Sequence, residues 1–149
     1  MRNTVRGSVN AADIITAYKE AFGVSIWALI LAAIVRLFSG GGTFQLADMG
    51  YAVVNEAVIL DILTRDKTDL EKYVAEDFDC DDFAFRLMGV FHQDLRTAAM
   101  PIFITWVSMP EGGHAVISYY NHGQVKIIEP QNDRISDVPK EWGLTLLCG

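Results

Sequence analysis

Three residues of this chain have the types and the order that thiol chemistry requires: Cys80, His114 and Glu129. The cysteine opens an amphipathic segment, the histidine follows a glycine pair at the start of a strand-like segment, and the glutamate ends the next apolar segment. A thiol, an imidazole and a carboxylate are the nucleophile, the base and the group that orients the base. The sequence therefore predicts a catalytic triad of these three side chains.

The surroundings of Cys80 are strongly acidic. Five of the seven residues from 76 to 82 are carboxylates, namely Glu76, Asp77, Asp79, Asp81 and Asp82. A helix that begins at Cys80, with Asp79 as its N-cap, would favour a thiolate through its dipole. The carboxylates oppose a second negative charge at the same place. A bound divalent cation with oxygen ligands would resolve this conflict.

The spacing of His114 and Glu129 fits a β-hairpin. If Tyr120 pairs with Gly123 around a turn at residues 121–122, His114 lies opposite Glu129. A hydrogen bond from the imidazole would then satisfy a carboxylate at the end of an apolar strand. The residues alone leave open whether Glu129 or Gln131 orients the histidine.

These residues resemble a known superfamily. Cysteine at a helix start, His114-Ala115 at a strand start and Glu129-Pro130 at the next strand end are similar to papain-like and transglutaminase-like cysteine enzymes. The Cys-Asp-Asp and Glu-Pro-Gln sequences are closest to the calcium-dependent papain-like protease domain of a mushroom agglutinin. The resemblance covers roughly residues 76–133. It implies a Cys80-His114-Glu129 triad and a Ca²⁺ ion, with Mn²⁺ as an alternative, held by metal ligands Asp81, Asp82, Asn132 and Asp133.

The hydrophobic periodicity predicts helices in the first half of the chain and strands in the second. We expect helices at about 11–22, 24–37, 48–64, 68–75 and 80–91, and a glycine-rich hinge at 39–42. Strands are expected at 101–107, 114–120, 124–129 and 144–148. This order predicts an α+β fold in which N-terminal helices pack on a small antiparallel sheet. The resemblance adds a papain-like/transglutaminase-like core with the nucleophile at a helix N-terminus. One domain is expected over 1–149, with a helical part of about 1–92 and a sheet part of about 100–148.

Composition restricts the partners and the compartment. The net charge of -7 disfavours nucleic acid, whose phosphates require a basic surface. The apolar segment 24–37 is shorter than the roughly 20 residues of a membrane-spanning helix, so we expect burial or an oligomer contact rather than membrane association. Two cysteines form no disulfide framework and no secretory signal is evident, which leaves the localisation unknown with the cytoplasm favoured.

The sequence thus predicts a cysteine hydrolase, specifically a calcium-dependent papain-like thiol protease acting on a protein or peptide substrate. Two alternatives stay open. A peptidoglycan amidase or endopeptidase of a phage or cell-envelope system would share the order of cysteine and histidine. A non-catalytic calcium-binding module would leave Cys80 an inert thiol and use Asp81 and Asp82 only for the metal or the helix dipole.

Overall fold

The computed structural model describes residues 8–25, 27 and 43–149. In chain order the elements are β1 (Ser8–Asn10), α1 (Ala11–Ala21), β2 (Phe44–Gln45), β3 (Gly50–Ala52), α2 (Glu56–Arg65), a 3₁₀ turn (Thr68–Leu70), α3 (Cys80–Gln93), β4 (Ile102–Met109), β5 (Gly112–Asn121), β6 (Gln124–Glu129), β7 (Arg134–Asp137) and β8 (Gly143–Cys148). The predicted apolar helix 24–37 and the hinge 39–42 lie outside the described residues, apart from positions 24, 25 and 27.

A six-stranded sheet forms the centre of the described structure. Its strand order is β2-β8-β4-β5-β6-β7, and β1 and β3 form a separate two-stranded sheet. All neighbours in the large sheet are antiparallel except β2 and β8, which run parallel. The β4–β5–β6–β7 part is a meander in which each strand pairs with the next one along the chain. This meander carries two of the three residues of the predicted triad.

The two faces of the sheet bury separate apolar clusters. The first cluster packs α2 and α3 against one face, with Leu87, Phe91, Ile117 and Ile128 fully or almost fully buried. The second packs α1 against the opposite face, with Tyr18 in edge contact with Phe103. Strand residues alternate between these clusters because successive side chains point to opposite sides of a sheet.

A chain of three buried hydroxyl groups connects α1 to the sheet. The Tyr18 hydroxyl lies 2.6 Å from Oγ of Ser118, which lies 2.5 Å from Oγ1 of Thr105. All three residues are fully buried, so each hydroxyl depends on the others for its hydrogen bonds. Burial raises the pKa of Tyr18 far above its ordinary value, so its hydroxyl remains protonated.

The predicted fold class was wrong in its architecture. Instead of N-terminal helices packed on a small antiparallel sheet, a six-stranded sheet is the main element, and the few helices pack on its two faces. Strands also occur in the first half of the chain, where residues 50–52 pair with β1 instead of beginning a helix at 48. The expected helix 68–75 is only the turn Thr68–Leu70. Among the described residues, no helix is long and apolar enough to cross a membrane.

Candidate functional site

The start of α3 positions Cys80. Asp79 is the N-cap, as predicted, and a capping box forms because the Asp82 carboxylate accepts a hydrogen bond from the backbone N–H of Asp79. Cys80 is therefore the first residue of the helix, where backbone N–H groups lack helical partners. Its thiol is free, half-buried and packed against the first apolar cluster.

The β5–β6 hairpin positions His114 and Glu129. The turn residues are His122 and Gly123, both with positive φ (47° and 86°), which is the type I′ geometry that two-residue hairpins favour. Asn121 pairs with Gln124, so the register differs by two residues from the predicted one. A shift of two leaves every side chain on its predicted face.

Because the face is kept, His114 and Glu129 still meet. Nε2 of His114 lies 2.7 Å from Oε2 of Glu129, with side chains 14% and 21% exposed. Oε1 of Glu129 accepts a hydrogen bond from the backbone N–H of Gln131 at 3.3 Å. Gln131 thus contributes its backbone to the carboxylate, and it is Glu129 that holds the imidazole. Nδ1 of His114 has no partner within the described ranges and is not among their buried unpartnered atoms, so it is open to a ligand.

Cys80 is not hydrogen-bonded to this pair. Across residues 8–25, 27 and 43–149, no hydrogen bond joins the sulfur of Cys80 to His114. Cys80 packs against the first apolar cluster, whereas the ring of His114 contacts Trp142, which packs against the second. The hairpin supplies an imidazole–carboxylate pair, and within the described residues this pair has no hydrogen bond to the thiol.

Trp142 is the neighbour of His114 that the sequence did not single out as a site residue. The two ring centroids lie 6.2 Å apart and the rings are nearly perpendicular, with an interplanar angle of 83°. Trp142 lies just before β8, and its indole is half-buried. The sequence signal was weak, since an isolated tryptophan beside a sheet is ordinarily part of the core.

The three acidic members of the predicted metal site, Asp81, Asp82 and Asp133, do not bring their carboxylates within 4.8 Å of one another. The Asp82 carboxylate serves the capping box, and Oδ1 of Asn132 accepts the backbone N–H of Arg134. Among the histidine, cysteine, aspartate and glutamate side chains of the described residues, only those of Asp79, Cys80 and Asp81 bring three potential ligand atoms within 4.8 Å of one another. The carboxyl of Asp79, followed by burial, raises the pKa of Asp81.

Asp133 belongs to a different acidic environment. Its backbone has a positive φ of 56°, and its Oδ1 is buried without a hydrogen-bond partner. Burial, followed by the charges of Asp69 and Asp66, raises the pKa of Asp133 to about 6. Asp66 and Asp69 were not identified from the sequence, since they are far from Asp133 along the chain and follow α2 without a motif.

We expect Asp133→Asn to stabilise the protein near neutral pH and to have no such effect in acid. The pKa of Asp133 is about 6 in the folded state and about 3.9 in the unfolded state. Between these two pH values the folded protein holds a proton that the unfolded protein has lost. The stability of the protein therefore falls as the pH rises from the lower value to the higher one. Asparagine carries no charge and tolerates positive φ. Melting temperatures measured in EDTA from about pH 4 to about pH 7 check this. A gain of the same size at both ends, or an equal gain in exposed Asp13→Asn, would contradict it.

The fold of this chain also occurs in other proteins. No protein-family model and no curated protein matches the chain. Several solved structures share its fold, and two of them show the degree of similarity. One is described as the PSL1a–E64 complex, with a TM-score of 0.73, 19% identity, and coverage of 95% of this chain and 51% of that chain. The other is a Polyporus squamosus lectin bound to the human-type influenza-binding epitope Neu5Acα2-6Galβ1-4GlcNAc, with a TM-score of 0.70, 19% identity, and 95% and 49% coverage.

These findings correct the identification made from the sequence. The chain spans about half the length of the structures that it matches, and these are described as a PSL1a–E64 complex and as a lectin bound to a glycan. The resemblance to papain-like and transglutaminase-like cysteine enzymes was therefore wrong, as was the prediction of a cysteine hydrolase, whether peptidase or peptidoglycan amidase. The lectin of the second structure is described with a bound glycan, and nothing in either description supports the expected peptide partner.

Proposed function

We propose that this chain is a glycan-binding module and that its site lies at the His114–Glu129 pair beside Trp142. The observation that carries the proposal is this combination of a half-buried imidazole–carboxylate pair and a half-buried indole at one corner of the sheet. A pocket that recognises a small molecule combines apolar or aromatic surface with a few fixed polar groups. An indole offers apolar surface to the C–H face of a sugar ring, and the polar pair offers partners for its hydroxyl groups.

The polar groups at this corner are held in place before any ligand arrives. Both oxygens of Glu129 have partners, one on the imidazole and one on the backbone of Gln131. Nδ1 of His114 is open. Fixed orientation lowers the entropy cost of binding, which favours affinity from few contacts. Neu5Acα2-6Galβ1-4GlcNAc, the ligand of one matched structure, is the glycan to test first.

Isothermal titration calorimetry tests the proposal directly. We expect saturable binding of the sialylated trisaccharide. Galβ1-4GlcNAc, which lacks the sialic acid, shows how much of the affinity depends on that sugar, and maltose is the unrelated control. His114→Ala should weaken the binding of whichever of the first two glycans binds. Heats no larger than those of maltose for both glycans, or unchanged affinity in His114→Ala, would contradict a glycan site at this corner.

Calcium remains a proposal, and the start of α3 supports it. The carboxylates of Asp79 and Asp81 bring ligand oxygens within 4.8 Å of each other, and a divalent cation between them would offset their mutual repulsion. We expect millimolar Ca²⁺, or Mn²⁺ as the alternative, to raise the melting temperature and EDTA to reverse the rise, since an ion that binds only folded protein stabilises it. Asp81→Asn should remove the shift, whereas Asp13→Asn should retain it. No shift with either ion would exclude the metal.

Covalent binding at Cys80 is a second candidate function, and the E64 complex among the matched structures favours it. E64 carries an epoxide, which alkylates thiolates, and the first position of a helix stabilises a thiolate. In this proposal Cys80, His114 and Glu129 act on one small electrophile, with the imidazole approaching the thiol when the ligand binds.

Mass spectrometry after incubation with E64 separates this candidate from an inert thiol. We expect one adduct, on Cys80, and none on Cys148, which is also free and half-buried and so serves as the internal control. Cys80→Ser should abolish the adduct, and His114→Ala should slow its formation. Equal labelling of both cysteines, or a rate that His114→Ala leaves unchanged, would contradict a joint site.

A further inference from the structure

A cleft of about 350 Å³ lies between α2 and the β5–β6–β7 part of the sheet. Glu56 and Leu60 line it from the helix, and Tyr119, Lys126 and Asp137 line it from the sheet. Tyr119 and Ile117 share the face that packs against α2 and α3, whereas Val116 packs on the opposite face. Since His114 has the alternation of Val116, this cleft is distinct from the corner proposed for glycans.

The sheet wall is a row of polar side chains in register. Tyr119 pairs with Lys126 across β5 and β6, and Lys126 pairs with Asp137 across β6 and β7. Nζ of Lys126 lies 2.7 Å from Oδ1 of Asp137. The charge of Lys126 is therefore balanced within the sheet wall.

The helix wall carries a carboxylate whose charge is not balanced. The Tyr119 hydroxyl donates to Oε1 of Glu56 at 3.1 Å, and Tyr119 is 1% exposed, so a rigid group of the sheet holds this carboxylate at the cleft. No cation forms an ion pair with Glu56 in the part of the chain that the structure describes. Two carboxylates and one ammonium leave the cleft with one net negative charge.

Apolar groups flank this charge. Leu60, one turn after Glu56 on α2, is 53% exposed, and Ile135 of β7 lines the same cleft. A ligand that matches these walls has a positive head for Glu56 and a short methylene stem for Leu60 and Ile135. The side chain of lysine has this form, with a compact ammonium on a flexible four-carbon stem.

We propose that this cleft binds a primary alkylammonium group, with the ammonium on Glu56 and the methylene stem against Leu60 and Ile135. The group comes either from a free amine or from a lysine side chain of a peptide. The two sources share the same contacts in the cleft and differ in the backbone that a peptide adds.

Nitrogen–proton NMR titrations of the whole chain test the proposal with three probes: n-butylammonium, Nα-acetyl-lysine amide and neutral Nα-acetyl-norleucine amide. With both cations, we expect the amide signals of Leu60, Lys126 and Ile135 to shift, and the shifts to saturate at millimolar ligand concentrations. The neutral norleucine amide should cause no shift. Tighter binding of the lysine amide identifies a peptide source, and equal binding identifies a free amine.

Glu56→Gln should weaken the binding of both cations at least tenfold. The glutamine amide oxygen can still accept the hydrogen bond from the Tyr119 hydroxyl, but the negative charge is gone. Glu20→Gln, which removes one charge from an exposed position on α1, should leave the affinity unchanged. No saturable shift with either cation, equal shifts with norleucine, or undiminished binding in Glu56→Gln would overturn the proposal. Binding of the sialylated glycan should not change in Glu56→Gln, which keeps this result separate from the glycan site.

Discussion

Trp142→Ala should weaken glycan binding about thirtyfold. In the proposed site the indole supplies the apolar surface on which a sugar ring stacks, and removing it from a half-buried position costs roughly 2 kcal/mol of binding free energy. The His114–Glu129 hydrogen bond does not require the indole, so the polar half of the site should remain. Calorimetry with the sialylated trisaccharide gives the ratio of dissociation constants.

Trp106→Ala is the matched control for this substitution. Trp106 is also half-buried, but it packs against the first apolar cluster and contacts Phe85 rather than His114. Its loss should lower stability without changing glycan affinity. Equal losses of affinity in the two variants would indicate damage to the whole sheet instead of a site at Trp142.

Ser118→Ala should destabilise the fold by about 2–4 kcal/mol. The serine hydroxyl is the middle member of the buried chain, so its removal deprives both the Tyr18 and the Thr105 hydroxyl of a partner. A buried hydroxyl without a hydrogen bond costs roughly 1–3 kcal/mol. Urea denaturation measured by far-ultraviolet circular dichroism gives the change in the free energy of unfolding.

A mutant cycle shows whether the loss comes from unsatisfied hydroxyls. Adding Tyr18→Phe and Thr105→Val to Ser118→Ala removes all three polar groups together. This triple variant should recover part of the stability, since replacing every member of a hydrogen-bonded group with apolar atoms of similar shape costs little. Additive losses across the three substitutions would contradict the account.

Periodicity and capping signals predicted the central part of this fold well. The helix expected at 80–91 is α3, Cys80–Gln93, and Asp79 caps it. The strand expected at 124–129 is β6 with the same bounds. Both elements have strong local signals, an apolar stripe after an N-cap aspartate in one case and alternation after a turn in the other. Local signals of this kind do not depend on the rest of the fold.

The short strands and the pairing of distant strands could not be predicted from the sequence. β2 has two residues and pairs in parallel with β8 at the other end of the chain, and β3 has three, so neither shows a measurable period. Residues 50–52 were therefore merged into the helix that begins at Glu56. Without these strands the predicted sheet was too small, which is why the predicted architecture was wrong.

The order of candidate residues along the chain did not determine how they meet. The hairpin places His114 beside Glu129 although the predicted register was two residues off, because the face was preserved. The position of Cys80 relative to His114 depends on how α3 packs across the sheet, which spacing cannot specify. Thus the sequence predicted the pair within the hairpin, whereas the position of the thiol depends on tertiary packing.

The most direct measurement of the proposed function follows the three indole N–H signals of the protein while Neu5Acα2-6Galβ1-4GlcNAc is added. Trp27 is 75% exposed and Trp106 lies near Phe85, so these two serve as internal references for Trp142. A glycan site at the His114–Glu129 corner predicts a saturable shift of the Trp142 signal alone, with the affinity found by calorimetry. An unmoved Trp142 signal, or parallel movement of all three, would contradict the proposed site.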